Sequence, residues 1–371
     1  MTAYATGKLP SADTAHARTG LDPKAVLLTA GLAGPVELAA AELRDVSRSH
    51  QVTLAELPDG TAFVVKQISA RTRDCGRSLD AELYAYRLAT WQTGLSAVLP
   101  TPLHLDERHQ VLVLPAAGAE QLYVWQLGQP GFPGPQLAAQ LGEILAKLHA
   151  STTDVPLLTE ASCGVLQLPD IPRRDWHIGD DSPAAMAAAR TAVDDPPLAA
   201  ALRHAASLLH PECLVHGDVK WDNAVIDAGP PARVRLFDWE LSGRGDPAWD
   251  VACALADTSF FSVRSPGSTV RPGLATGWLS PSMRALLAAY AECRRDQPGT
   301  GQAIDAVLAD LAERVLFCWI GRGVHLAVEC AAATEDAGHP AVTDLLASTR
   351  QLAQACPEVL PLVRSAVARS R

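Results

Sequence analysis

The chain has 371 residues, 48% of them apolar, and a formal net charge of −10. This length can bury a substantial core in one large or two moderate domains, and the acidic balance argues against a nucleic-acid partner, which would require a basic surface. The sequence has no uninterrupted apolar run of about 18 residues and no start resembling a signal peptide, so it predicts a cytoplasmic protein that does not cross a membrane. Eight scattered cysteines form no C-x-x-C pair and indicate buried free thiols rather than a zinc or disulfide framework.

The N-terminal part of the chain alternates between turn signals and short apolar segments. Residues 1 to about 22 are small and polar and predict a disordered tail. A short helix is predicted over Pro23–Leu32, with Asp22 as its N-cap and Pro23 at its first position. Three strands follow, with a hairpin turn at Pro58–Gly60, over Leu43–Ser47, Val52–Leu57 and Thr61–Lys66.

Lys66 ends the third of these strands. Helical apolar spacing over Arg77–Thr90 then places Glu82 sixteen residues after Lys66. The strand end Phe63–Lys66 resembles the V-A-I-K segment of kinases, and that resemblance implies that Lys66 pairs with Glu82, with Asp80 as the competing candidate. The alternative is a strand-end lysine whose ammonium group merely reaches into water.

The rest of the chain predicts one further strand and then mainly helices. Residues 115–119 are predicted to form a hinge, and residues 151–196 to form loops that cover an acceptor site or only connect helices. The stretch Thr258–Ser282 is rich in Ser, Gly and Pro and predicts a flexible lid or a substrate-binding insertion. The strand and the helices predicted from periodicity are Val111–Leu114, Gln136–Ala150 and Leu198–Leu209.

Two polar motifs follow short apolar runs that predict buried strands. The first reads His-Gly-Asp218-Val-Lys-Trp-Asp-Asn223, and the second is Asp238-Trp-Glu. Phosphoryl transfer from ATP needs a carboxylate that receives or orients the acceptor proton, together with oxygen ligands that hold Mg²⁺ against the phosphates. The spacing assigns the first task to Asp218 and the second to Asn223 and Asp238.

These motifs resemble those of the aminoglycoside phosphotransferase/choline kinase family, which shares the protein-kinase fold. The resemblance implies an α+β, bilobal, protein-kinase-like fold that binds ATP and Mg²⁺ between its lobes, with the γ-phosphate toward Asp218. A tail and short helix would occupy residues 1–40, a small β-rich N-lobe residues 41–114, and a larger, mainly helical C-lobe residues 115–371.

The resemblance also implies roles for individual residues. Lys66 would contact the α- and β-phosphates, Lys220 would approach the γ-phosphate, and His216 would fix the catalytic loop from beneath. Asp250 would hold the backbone of that loop, with Asp246 as an N-cap or second brace; the alternative for Asp250 is a first-turn acid favoured by the helix dipole. Two neighbouring carboxylates with supporting or metal-binding roles, or simply solvated, are Asp222 and Glu240.

The first turn of the predicted N-lobe departs from the protein-kinase pattern, because no glycine-rich loop precedes Val52. Ser47 and Ser49, in the turn over Val46–Gln51, could contact phosphates together with backbone N–H groups. An ordinary polar hairpin is the equally open alternative.

The predicted acceptor is a hydroxyl group of a natural product. The 46–50 turn, Lys220 and the segment Trp239–Asp250 resemble phosphotransferases of class V lanthipeptide and thioamitide biosynthesis. That resemblance implies Ser or Thr of a ribosomal precursor peptide as acceptor, followed by elimination by a partner lyase. The alternatives are a small-molecule kinase for an antibiotic, sugar or amino alcohol, and an inactive kinase fold that serves as a binding scaffold.

Overall fold

The computed structural model describes residues 21–47, 50–68, 79–91, 95–96, 98–116, 119–121, 134–156, 160–161, 164–176, 182–227, 233–264, 278–297 and 304–368. The chain divides into two compact units. We call Thr2–Leu122 together with Asn223–Ser242 the β unit, and Tyr123–Asp222 together with Gly243–Arg371 the helical unit. One unit is built on antiparallel sheets and the other mainly on helices, so the predicted α+β class is confirmed.

A five-stranded antiparallel sheet forms the centre of the β unit, with the order β1-β2-β3-β5-β4. The hairpin between β2 and β3 turns at Gly60, whose φ of 86° is available to glycine without steric cost. Alternate residues are buried in β2 and in the first part of β3, as expected for strands with one face on a core, and the last three residues of β3 are all buried. The strands are β1 (Glu42–Asp45), β2 (Gln51–Glu56), β3 (Ala62–Gln67), β4 (His104–Asp106) and β5 (Val111–Pro115).

Helices α1 (Pro23–Thr29) and α2 (Pro35–Ala40) cover one side of this sheet with a shared apolar cluster that includes Leu27 and Val65. Asp22 caps α1 as predicted, because its carboxylate accepts a hydrogen bond from the backbone N–H of Lys24. The helix ends three residues before the predicted end, since Gly31 adopts a left-handed φ of 69°.

The β unit contains one further helix and a second, three-stranded sheet. Helix α3 spans Asp80–Trp91 and carries Glu82 on its buried side. The second sheet has the order β6-β8-β9, and all its pairs are antiparallel. Its strands are β6 (Ala119–Gln121), β8 (Ala224–Asp227) and β9 (Arg233–Leu236).

Helices dominate the helical unit. A two-stranded antiparallel pair of β7 (Cys213–Val215) and β10 (Gly243–Gly245) precedes helix α8. Short 3₁₀ turns occupy Arg173–Asp175 and Trp221–Asn223. The second turn ends at Asn223, where the chain re-enters the β unit. The helices are α4 (Pro135–Ser151), α5 (Gly164–Gln167), α6 (Pro183–Asp194), α7 (Pro196–Leu208), α8 (Pro247–Arg264), α9 (Pro281–Arg295), α10 (Ile304–Thr334), α11 (Pro340–Gln354) and α12 (Cys356–Val367).

Helix α10 is the central element of the helical unit, and α6, α7, α8, α11 and α12 all pack against it. By length and composition it could cross a membrane, but 78% of its most apolar window is buried inside the protein. Burial of this kind is typical of a helix that is apolar all round because it lies in a protein core.

Two loop predictions are wrong in part. The last third of residues 151–196 forms α6, because Ser182 caps the helix, Pro183 begins it, and its alanines pack into the core. The predicted lid over Thr258–Ser282 begins as helix, since α8 continues to Arg264 with Phe260 buried. Residues 265–277, the predicted tail over residues 1–20 and positions 117–118 of the predicted hinge lie outside the described residues.

Candidate active site

Lys66 forms the centre of a buried ion group in the β unit. Its Nζ lies 2.6 Å from Oε2 of Glu82 and 2.5 Å from Oδ1 of Asp238. Burial alone would lower the pKa of Lys66, but the two carboxylates outweigh burial and raise it above its ordinary value. The competing candidate, Asp80, instead accepts a hydrogen bond from Gln110.

Asn223 and Asp238 lie at the same end of the β8–β9 hairpin. Ala224 pairs with Leu236, and the N–H of Phe237 donates to the carbonyl of Asn223 over 3.0 Å. Asp238 follows with a left-handed φ of 65°, a conformation that aspartate tolerates better than most residues.

Asn223 and Asp238 carry oxygen donors of the kind that could hold a magnesium ion, and of the two only Asp238 is partly exposed, because Asn223 is buried. Although Oδ1 of Asp238 contacts Lys66, the side chain remains 31% exposed, so its carboxylate is accessible to a metal ion. Mg²⁺ accepts one or two protein oxygens when phosphates and waters complete its shell. Within the described part of the chain, no group of three or more His, Cys, Asp or Glu residues could hold a metal by itself.

Ser47, which follows β1, forms hydrogen bonds with residues close to it in sequence. Ser47 Oγ donates to Oδ1 of Asp45 over 2.5 Å and accepts from the N–H of Val52 over 2.9 Å. These two hydrogen bonds are those expected of an ordinary polar hairpin, which was the alternative interpretation. Contact between the Ser47 hydroxyl and phosphates stays a prediction. Ser49 lies outside the described residues. His50, which follows, is buried and contacts Oε2 of Glu240 through Nε2 at 2.9 Å.

In the helical unit, Asp250 holds the start of the predicted catalytic loop. Its two carboxylate oxygens accept the backbone N–H groups of His216 and Gly217 at 2.8 and 2.9 Å. Gly217 has a φ of 84°, so a residue with a side chain would be strained there. Trp249 adds a bond from Nε1 to the carbonyl of Gly217 at 2.9 Å, and Nδ1 of His216 lies 3.3 Å from the backbone nitrogen of Asp218. These contacts are the arrangement that the brace interpretation of Asp250 requires.

Asp250 is itself fixed by a buried histidine. His149 Nε2 lies 3.1 Å from Oδ2 of Asp250, and Nδ1 lies 3.0 Å from the hydroxyl of Tyr290. A carboxylate can only accept, so His149 donates through Nε2 to Asp250, and its Nδ1 shares a hydrogen bond with the Tyr290 hydroxyl. His149 thus supports the loop indirectly.

Asp218 lies between two cations. Lys220 Nζ is 2.5 Å from Oδ2, and Nη2 of Arg322 is 2.6 Å from Oδ1. Burial alone would raise the pKa of Asp218, but Arg322 and Lys220 outweigh burial and hold it well below the usual range of an aspartate. Asp218 is therefore ionised at neutral pH.

The sequence interpretation missed Arg322 and two residues that hold the end of the loop. The N–H of Trp221 donates to Oδ2 of Asp257 over 2.9 Å, and Trp221 Nε1 bonds to Thr258. A single arginine between two glycines inside an apolar helix was the available signal for Arg322. Asp222 lies half-buried in the 3₁₀ turn.

The chain was also compared with known protein families, curated proteins and solved structures. The sequence model of a family described as "Phosphotransferase enzyme family" (APH) matches residues 42–319. A comparison with curated proteins found no match.

Three solved structures resemble the chain over most of its length. A choline kinase from Cryptosporidium parvum Iowa II has a TM-score of 0.58 at 10% identity, covering 86% of this chain and 91% of that one. An aminoglycoside phosphotransferase from Alicyclobacillus acidocaldarius has a TM-score of 0.52 at 16% identity, covering 95% and 98%. An ethanolamine kinase from Plasmodium vivax has a TM-score of 0.51 at 11% identity, covering 92% and 88%. At such identities the likeness concerns the fold alone.

Proposed function

Because the chain belongs to the phosphotransferase enzyme family, we propose that it transfers the γ-phosphate of ATP to a hydroxyl group in a Mg²⁺-dependent reaction. The carrying observation is the buried group of Lys66, Glu82 and Asp238, which joins residues from three separate segments of the β unit. Burying charged groups is costly unless they are paired and hydrogen-bonded. A lysine held between two carboxylates at a strand end suits the binding of a metal–nucleotide complex better than it suits fold stability.

On the nucleotide side, Lys66 would contact phosphate oxygens while Glu82 fixes the position of its ammonium group. Asn223 and Asp238 would hold Mg²⁺, which when bound neutralises charge on the phosphates. Removing the carboxylate with Asp238→Ala should weaken nucleotide binding only when Mg²⁺ is present. Equal Mg²⁺ dependence of nucleotide binding in Asp238→Ala and the parent protein, measured by calorimetry, would contradict the ligand role.

On the acceptor side, Asp218 would orient the hydroxyl and receive its proton. The acceptor oxygen forms a bond to the γ-phosphorus, the bond from that phosphorus to the β–γ bridging oxygen breaks, and ADP leaves. The low pKa of Asp218 makes it a weak base, so orientation is its larger contribution, which agrees with a loose transition state. Lys220, on its flexible stem, can move from Oδ2 of Asp218 toward the transferred phosphoryl group.

The acceptor that we propose is an alcohol group of a small molecule. The related structures are named as kinases of choline and ethanolamine and as an aminoglycoside phosphotransferase, which supports a small-molecule acceptor over a peptide. The second candidate is Ser or Thr of a precursor peptide, acted on before a partner lyase. Its support is the sequence resemblance, which includes Lys220, and the structure places Lys220 beside Asp218. A cytoplasmic location, where ATP is available, belongs to the same proposal.

A mass-resolved acceptor screen tests the proposal. Purified protein with ATP and Mg²⁺ would be offered choline, ethanolamine, amino sugars, macrolides and Ser/Thr-rich peptides, each with and without the protein of a neighbouring gene. A phosphate gained by a small molecule is the expected result, and a phosphate gained only by peptides would select the second candidate. If the protein bound no ATP, phosphotransfer would be excluded and the fold would serve as a scaffold.

A further inference from the structure

Arg322 is a buried arginine near the middle of α10, and its side chain is 1% exposed. Nη2 donates to Oδ1 of Asp218 over 2.6 Å, while Nη1 lies 2.8 Å from Nδ1 of His325 and 3.4 Å from Oε1 of Glu329. Arginine only donates, so Nδ1 of His325 accepts, which requires a neutral ring. Burial lowers the pKa of His325 and favours that neutral form.

The backbone around Arg322 is packed too closely to shift easily. A Cβ added at Gly323 would lie 2.4 Å from Oγ1 of Thr349 and 3.0 Å from Phe260, and one at Gly321 would lie 2.2 Å from Leu166. A glycine inside a helix lowers its stability relative to alanine. Two glycines flanking a buried arginine therefore indicate that this part of α10 is held close to its neighbours at a cost in helix propensity.

The two oxygens of Asp218 have partners of different character. Oδ1 contacts Arg322, whose planar guanidinium is held at three points and shielded from solvent. Oδ2 contacts Lys220, whose side chain is 21% exposed on a flexible four-carbon stem. The first contact is fixed by the fold, whereas the second can be exchanged for another partner.

We propose that Arg322 is a positioning residue for phosphotransfer, which fixes Oδ1 of Asp218 so that Oδ2 is presented to the acceptor hydroxyl. The inference rests on the proposed function and adds to it a residue outside both sequence motifs. Positional catalysis depends on such anchoring, because a small displacement of the catalytic carboxylate removes the near-attack geometry.

The same helix contains a matched arginine without this role. Arg314 is also buried, at 3% exposure, and it bonds to Asp246, Glu212 and Asp310. Asp246 in turn accepts the backbone N–H groups of His210 and Ala248. Arg314 therefore supports the fold but does not contact Asp218, and its replacement controls for the loss of a buried charge in α10.

The test compares Arg322→Met, Arg322→Lys and Arg314→Met in the full-length protein. The first removes all three contacts, and the second keeps the charge but loses the fork that reaches Asp218 and Glu329 together. Thermal melting and ATP binding would verify the fold of each variant. Transfer to the best acceptor of the screen would then give kcat and KM separately, and crystal structures of the parent and Arg322→Lys would locate the Asp218 side chain.

For Arg322→Met we expect kcat to fall by about 100-fold with little change in the KM for ATP, and for Arg322→Lys a partial loss. Arg314→Met should lose thermal stability with a much smaller change in kcat. Equal kcat in Arg322→Met and Arg314→Met, or an unmoved Asp218 side chain in the crystal structure of Arg322→Lys, would overturn the inference. Should the parent protein transfer phosphate to no acceptor, the proposed function fails, while the crystal structures still decide whether Arg322 positions Asp218.

Discussion

The two units of the molecule bury ion groups of opposite composition. In the β unit one cation, Lys66, lies between the carboxylates of Glu82 and Asp238. In the helical unit one carboxylate, Asp218, lies between the cations of Lys220 and Arg322. Counting only these three side chains in each unit, the group of the β unit has one excess negative charge. The group of the helical unit has one excess positive charge.

This contrast fits the two different roles that the proposed phosphotransfer gives to the two ion groups. An excess carboxylate beside a lysine is suited to hold a divalent cation while the lysine contacts phosphate. An excess cation beside a catalytic carboxylate is suited to stabilise the negative charge of a phosphoryl group during transfer. The first three predictions below each alter one of these two groups, and the fourth tests whether the β1–β2 connection extends the first of them.

The largest effect is expected from Asp218→Asn, which removes the proton acceptor and the carboxylate between Lys220 and Arg322. We expect kcat for transfer to fall by about 10³-fold or more, while nucleotide affinity changes little because the β-unit group is untouched. Steady-state kinetics and calorimetric titration with Mg–ATP measure the two quantities. Turnover close to that of the parent protein would exclude Asp218 from the reaction.

The next effect is expected from Lys220→Met, which removes the movable cation of the same group. A loss of about 100-fold in kcat is expected for one charge-stabilising contact. The pKa of Asp218 is depressed in the folded protein, so removing Lys220 should raise it. The acidic limb of the pH–rate profile should therefore move to higher pH, whereas the parent profile should show no such limb above about pH 4. Identical acidic limbs in the two profiles would show that Lys220 does not act on Asp218.

Stability of the β unit should distinguish the two carboxylates of α3. Glu82→Gln breaks one of the two ion contacts of buried Lys66 and should lower the free energy of unfolding by about 2–3 kcal/mol, somewhat less than the loss of a sole buried partner. Asp80→Asn, at an exposed position of the same helix, should change it by less than about 0.5 kcal/mol. Urea denaturation followed by circular dichroism gives both values, and equal losses would contradict the special role of Glu82.

The smallest effect is expected from Ser47→Ala in the exposed β1–β2 turn. Loss of the contacts to Asp45 and Val52 should cost about 0.5–1 kcal/mol of stability and leave the Kd for ATP unchanged. Equilibrium denaturation and calorimetric titration are the measurements. A clearly weaker Kd for ATP would instead show that the turn contacts phosphate and extends the nucleotide site beyond the Lys66 group.

Local sequence patterns predicted much of the fold. Asp22 with Pro23 fixed the start of α1, the glycine turn at Gly60 placed the β2–β3 hairpin, and apolar spacing located α4 and α7 within two residues of each end. These features depend on interactions within a few residues, which a linear sequence displays directly. Helix α6 was not predicted, because prolines and acidic residues before it indicate loops. Its own start signal is local, with Ser182 as N-cap and Pro183 as the first helical residue.

The sequence by itself identified the candidate site residues and the family of the chain. Those residues are the carboxylates and the amide at motif spacing and the lysine at a strand end. Only the tertiary structure decided which charges meet. Lys66 and Asp238 are 172 residues apart and Asp218 and Arg322 are 104 residues apart, yet each pair is in contact. No local pattern encodes such pairs, because they depend on how closely packed helices and strands bring distant side chains together, as Gly321 and Gly323 do for Arg322.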